Sequence, residues 1–255
     1  MLLINNIILL HTSQMSAILP SPPSPPSPPS PPSPPNQVVV ITSNGRKGAD
    51  ASAVFGIPLP LKDDEVEEIQ NTAPLVAYTK VFEIYTQIGT CLCEDTSFGL
   101  LVAAYLTKNK KPVFPALIKH LIDACKVGGG ELVVALNAIS PGHTLYEYTS
   151  TVAFCDGVRV VLFQCIMTGT IRHGGGKGDI DPYFVPISYT LVRIEDGVSV
   201  TFVQDQMVDN PGQKTIGEQP DNRQNVHPRY FALRSSKSWL EENGYTIKGA
   251  DSASP

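Results

Sequence analysis

Apolar and polar positions alternate regularly over residues 144–208, and the pattern predicts four strands joined as two hairpins. Tyr146, Tyr148, Val152 and Phe154 fall on one face of the first strand, with Glu147, Thr149 and Thr151 on the other. Cys155-Asp156-Gly157 then turns the chain into an apolar run over 158–167. The design repeats with a strand over 187–194, the turn Glu195-Asp196-Gly197 and a strand over 198–202. Asp-Gly between alternating runs predicts a hairpin, because both residues tolerate the positive φ of a tight turn. The stretch joining the hairpins, 173–179, is too rich in glycine for regular structure.

Upstream, Tyr78, Lys80, Phe82, Ile84 and Thr86 fall on one face and Val81, Glu83 and Tyr85 on the other, which predicts a long strand over 77–88. Thr96 and Ser97 offer N-caps to a helix over 98–106, and Pro112 opens a second helix over 113–127 that three glycines stop. A short strand follows at 131–135. Residues 209–229 are rich in Pro, Asn, Gln and Asp and predict a surface loop. Ser238-Trp-Leu-Glu241 matches a capping box for a terminal helix that Gly244 ends. The fold class is therefore α+β: an antiparallel sheet of hairpins with two or three packed helices, preceded by a disordered proline-rich arm. The expected organisation is an arm over 1–56, one domain over 57–248 and a loose tail over 249–255.

Composition sharpens the arm. Proline, at 23 of 255 residues, is heavily used, and residues 20–35 repeat Ser-Pro-Pro, which forms solvated polyproline II and cannot enter a core. Pro20, Pro22, Pro23, Pro25, Pro26, Pro28 and Pro29 make it either a stiff spacer or a docking ligand for SH3- or WW-type modules. The apolar run in residues 1–14 is short and lacks a basic flank or cleavage site, so neither a signal peptide nor a membrane span is expected, and Met15 offers a second start. Val38 and its neighbours read as a possible edge strand, and residues 44–53 as small, polar and flexible.

A net charge of −5 does not favour nucleic acid or anionic lipid over the whole chain. The basic candidates are Lys108, Lys110, Lys111, Lys119 and Lys126, either a solvated helical surface or a patch for anionic headgroups. Five cysteines, odd in number and set in apolar runs, read as buried thiols, and Cys91-Leu-Cys93 lacks a second ligand pair for zinc. Residues 62–68 form an acidic cluster that reads as a solvated turn. Residues 173–179 fail the spacing of a phosphate loop, and no nucleophile elbow or His-Glu-x-x-His is present. Neither catalytic residues nor a metal or cofactor is expected.

The order of parts, with Leu145-Tyr-Glu-Tyr-Thr-Ser-Thr-Val-Ala-Phe-Cys-Asp-Gly-Val-Arg159 as the best local likeness, resembles the matrix proteins of rhabdoviruses over about residues 57–208. The resemblance implies a non-enzymatic structural protein of the virion, host cytoplasm and inner face of the host membrane. Its partners would be itself, an anionic membrane surface, the viral nucleocapsid and host sorting or SH3/WW-type proteins reached through the arm. Two departures stand out: the family's lysine-rich N-terminus is missing, and neither Pro-Pro-x-Tyr nor Pro-Ser-Ala-Pro occurs. The alternatives are a viral coat protein with a flexible arm and a cellular binding module with a proline-rich adaptor arm.

Overall fold

The computed structural model describes residues 37–42, 44–59, 73–100, 131–139, 145–177, 180–196 and 199–249. The proline-rich segment, residues 60–72 and the lysine-bearing stretch 101–130 lie outside them. In chain order the elements are β1 (Gln37–Ile41), α1 (Gly45–Phe55), α2 (Ala73–Ile88), β2 (Cys91–Leu100), α3 (Glu131–Ile139), β3 (Leu145–Cys155), β4 (Val160–Ile171), β5 (Phe184–Glu195) and β6 (Ser199–Met207). A 3-10 turn (Ile216–Glu218), α4 (Arg223–Val226), α5 (Pro228–Glu242) and β7 (Thr246–Ile247) complete the chain.

The seven strands form one sheet in the order β6-β5-β4-β3-β2-β1-β7. From β2 to β6 every pairing is antiparallel, whereas β1 runs parallel to both β2 and β7. The sheet is therefore mixed, and not built of hairpins alone. Both hairpins are present: β3 pairs with β4 from Leu145 opposite Thr170 to Cys155 opposite Val160, and β5 pairs with β6. At the first turn Gly157 has φ +85, and Oδ1 of Asp156 accepts from the backbone N–H of Val158 and Arg159.

Helices cover both faces. α2 packs on β2, β3 and β4, where Ala77, Val81 and Ile84 meet Cys91, Cys93, Ala153 and Cys155. On the other face α5 lies across β3, β4 and β5 with α1 beside it, over Leu92, Phe98, Phe154 and Phe163. Trp239 and Leu240 of α5 are buried there. Covered on both sides, β3 is buried along all but its first residue. Cys91, Cys93, Cys155 and Cys165 are buried free thiols, and Cys125 lies outside the described residues.

Several expectations are corrected. Residues 77–88 form helix α2, because Ala73, Ala77, Val81 and Ile84 recur at helical spacing and are the positions that bury. Thr96 and Ser97 cap no helix; they continue β2, which pairs with β3 as far as Leu100. The apolar run after Gly130 is helix α3, since a short run of that kind suits either structure and periodicity alone does not decide it. The predicted loop over 209–229 carries the 3-10 turn and α4, with Ile216, Val226, His227 and Arg229 buried. α5 begins at Pro228 with His227 as its N-cap, so Ser238 sits inside the helix. The body also starts earlier than residue 57: β1 lies between β2 and β7, and α1 packs on α5. Residues 44–53, expected to lack regular structure, form the N-cap and most of α1.

Candidate functional site

The site forms where β1 leaves the sheet. Ile41 is the last β1 residue paired with β2, opposite Cys93. Asn44 then caps α1, its Oδ1 accepting from the N–H of Arg46 and Lys47 at 3.0 and 3.2 Å. Arg46 and Lys47 therefore occupy the first turn, where the helix dipole disfavours cations and where no acidic residue offsets them. The next two β2 residues, Glu94 and Asp95, point to opposite faces by strand alternation. Lys47 reaches both: Nζ lies 3.1 Å from Oε2 of Glu94 and 3.5 Å from Oδ1 of Asp95, and it donates to the Glu94 carbonyl at 3.3 Å.

Behind Lys47 lies a buried network. Ser150 of β3 donates to Oε1 of Glu94 at 2.6 Å, and Nε of Arg229 stands 3.2 Å from the same oxygen. Arg229 also donates through Nη1 to Oδ2 of Asp50 at 2.6 Å, and Asp50 further accepts from Arg223 and Tyr230. Asp181, in the connection between β4 and β5, accepts from Arg46 at 2.7 Å and lies 3.3 Å from Arg223 and from Nε2 of His227. Tyr148 completes that group, its hydroxyl 3.4 Å from Asp181 and 3.3 Å from His227.

Four cations (Arg46, Lys47, Arg223, Arg229) thus face four carboxylates (Asp50, Glu94, Asp95, Asp181). The side chains of His227 and Asp181 are 1% and 3% exposed, against 41% for Arg46, 19% for Lys47 and 15% for Asp95. The more accessible members are therefore Arg46, Lys47, Asp95 and, at 13%, Arg223, with Asp50, Glu94, Asp181, His227 and Arg229 behind them.

Burial pushes the Glu94 carboxyl up, but Arg229 and Lys47 outweigh it and hold the group at about 2. Burial also pushes Asp95 up; Lys47 opposes the rise, the Glu94 charge adds to it, and the net shift is upward. Burial would lower Lys47, yet Glu94 and Asp95 raise it, so it stays an ammonium ion. For Asp181 burial is overcome by His227, Arg223 and Arg46, which hold it well below the carboxylate range. His227 falls to about 4, chiefly through burial. Its Nδ1 accepts from the Arg229 N–H at 3.1 Å, so the proton of the neutral ring sits on Nε2, facing Asp181. With its pKa lowered to about 4 the ring is neutral at neutral pH, so the guanidinium groups of Arg223 and Arg46 are the charges that face Asp181 there.

The site residues expected from sequence fall on segments that the structure does not describe. Lys108, Lys110, Lys111, Lys119 and Lys126 lie outside the described residues, as do the seven prolines of the arm and the acidic cluster at 62–68. The residues that do converge carry only weak signals in the sequence. Their signals were two basic residues following a good N-cap, and two carboxylates interrupting an otherwise apolar strand.

The sequence profile of the Ham1 family matches residues 38–195 of this chain, and the chain belongs to that family. The curated inosine triphosphate pyrophosphatase of Aspergillus fumigatus is 28% identical over 207 residues, covering 79% of this chain and 93% of the relative. Among solved structures, a HAM1 protein from Coxiella burnetii aligns with a TM-score of 0.56 at 17% identity, over 81% of this chain and 99% of that one. The Staphylococcus aureus Ham1 protein aligns with a TM-score of 0.51 at 16% identity, over 81% and 99%. These two share the fold, a mixed arrangement of strands and helices. Membership overturns the rhabdovirus matrix resemblance and what came with it. That covers the non-enzymatic structural role, the nucleocapsid, membrane and host-docking partners, and the place in a virion or beneath a host membrane. The curated relative is an enzyme, and among the described residues no helix is long and apolar enough to cross a membrane.

Proposed function

We propose that this Ham1 family chain is a nucleoside triphosphate pyrophosphohydrolase, acting on substrates of the inosine triphosphate kind and releasing pyrophosphate. The observation that carries the reading is Lys47 held between Glu94 and Asp95 at the end of β1, in a chain 28% identical to an inosine triphosphate pyrophosphatase. In the reaction water attacks the α-phosphorus, the bond from that phosphorus to the α–β bridging oxygen breaks, and the products are nucleoside monophosphate and pyrophosphate. Lys47 and Arg46 meet the phosphate oxygens through their side-chain cations. Asp95, the carboxylate nearest solvent and shifted upward, accepts the proton of the attacking water. The cluster balances four positive charges with four negative ones, so it has no surplus to neutralise a bare triphosphate. The substrate is accordingly the magnesium complex, which brings its own countercharge.

The test incubates the purified full chain with inosine, xanthosine, adenosine and guanosine triphosphates in magnesium and separates the products. Equal amounts of monophosphate and pyrophosphate, formed fastest from inosine or xanthosine triphosphate, support the reading. Asp95→Asn lowers kcat by roughly 10²- to 10⁴-fold if it is the base. Release of inorganic phosphate, or no turnover of any of the four, contradicts it.

A further inference from the structure

Ser150 is wholly buried at the middle of β3, opposite Thr96 of β2. It donates at 2.6 Å to Oε1 of Glu94. Arg229 lies 3.2 Å from the same oxygen, but its Nε–H makes no hydrogen bond, so the serine supplies the directional contact. The other oxygen, Oε2, is buried and has the Lys47 ammonium beside it at 3.1 Å. Fixing one carboxylate oxygen fixes the plane of the group and hence the place of the second. Lysine is a point charge on a flexible four-carbon stem and takes its position from the anions around it. Of those, Glu94 is the nearer and Asp95 the farther.

The geometry points to Ser150 as a positioning residue: by holding Glu94 it stations the Lys47 ammonium at the mouth of the site, where it meets the phosphates, and keeps it from closing onto Asp95. This rests on the reading of Lys47 as the phosphate-binding cation. Without the hydroxyl, Glu94 turns toward Arg229, and Lys47 moves to Asp95, losing its station and covering the base.

Two measurements test this. In protein labelled with 15N-lysine, the Nζ resonance of Lys47 reports its placement whether or not the chain hydrolyses anything. It moves in Ser150→Ala and stays in Ser150→Thr, which keeps the hydroxyl; an unmoved resonance in Ser150→Ala overturns the inference. Calorimetric titration with inorganic pyrophosphate, beside steady-state kinetics with inosine triphosphate, is the second. Ser150→Ala weakens pyrophosphate binding and raises KM by roughly five- to twentyfold each, and Ser150→Thr restores both. A merely structural serine would lower Tm and the active fraction but leave both constants unchanged, and that result also overturns the inference. A wild-type chain that neither binds pyrophosphate nor turns over counts against the functional reading alone, and the lysine resonance then decides the role of Ser150.

Discussion

Lys47 and Glu94 face each other at 3.1 Å across the place where β1 leaves the sheet and β2 continues. The pair joins the first turn of α1 to the centre of the molecule. Lys47→Gln removes the only cation that touches Glu94 and Asp95 together among the described residues. Steady-state assays with inosine triphosphate should show kcat/KM reduced about 10²-fold or more. Ser150 and Arg229 still hold Glu94, so the thermal midpoint should fall by only a few degrees.

Acid should erode the stability of the fold over two pH ranges. His227 drops from 6.5 to about 4 on folding, so between these values the unfolded chain binds more protons than the folded one. Stability therefore falls as pH drops from 6.5 to 4. Glu94, held at about 2 against 4.5, contributes stability present above 4.5 and lost as pH falls toward 2. Each such proton steepens the loss by about 1.4 kcal/mol per pH unit while it is being taken up. Urea midpoints at pH 7, 5.5 and 4.5 measure the loss over the first range, which His227→Gln should flatten.

Arg229 is buried and connects Asp50 of α1 to Glu94 of β2. Arg229→Met leaves both carboxylates short of a charge and should cost about 3–5 kcal/mol, since an unpaired buried charge is expensive. In a double-mutant cycle with Asp50→Asn the two losses should not add, because the second substitution removes one of the charges the first leaves unpaired. Denaturant unfolding of the four proteins gives the coupling.

The first hairpin turn is built around a missing side chain. A Cβ at Gly157 would meet the Tyr85 hydroxyl at 2.0 Å, and the residue has φ +85. Gly157→Ala should destabilise by about 1–3 kcal/mol. Adding Tyr85→Ala should recover the part due to the clash and leave the part due to the backbone.

The hairpins were legible because Asp156-Gly157 and Asp196-Gly197 are local signals, and the alternation on β3 is regular. β2 was not: Glu94 stands where the pattern asks for an apolar residue, and its partners Lys47, Ser150 and Arg229 lie 47, 56 and 135 positions away. Only the folded chain brings four cations to four carboxylates and so makes their burial tolerable. α2 misled because Tyr78, Lys80, Phe82, Ile84 and Thr86 recur at every second position like one face of a strand, while Ala77, Val81 and Ile84 are what the helix buries. The polar look of 209–229 likewise hid His227 and Arg229, whose polarity is spent on Asp181, Asp50 and Glu94.

The most direct test is hydrolysis of inosine triphosphate in 18O-labelled water with magnesium, followed by 31P NMR of the products. Attack at the α-phosphorus predicts one pyrophosphate per turnover, with the label in inosine monophosphate and none in pyrophosphate. Label in pyrophosphate or in free phosphate, or no hydrolysis by the purified full chain, would contradict the account.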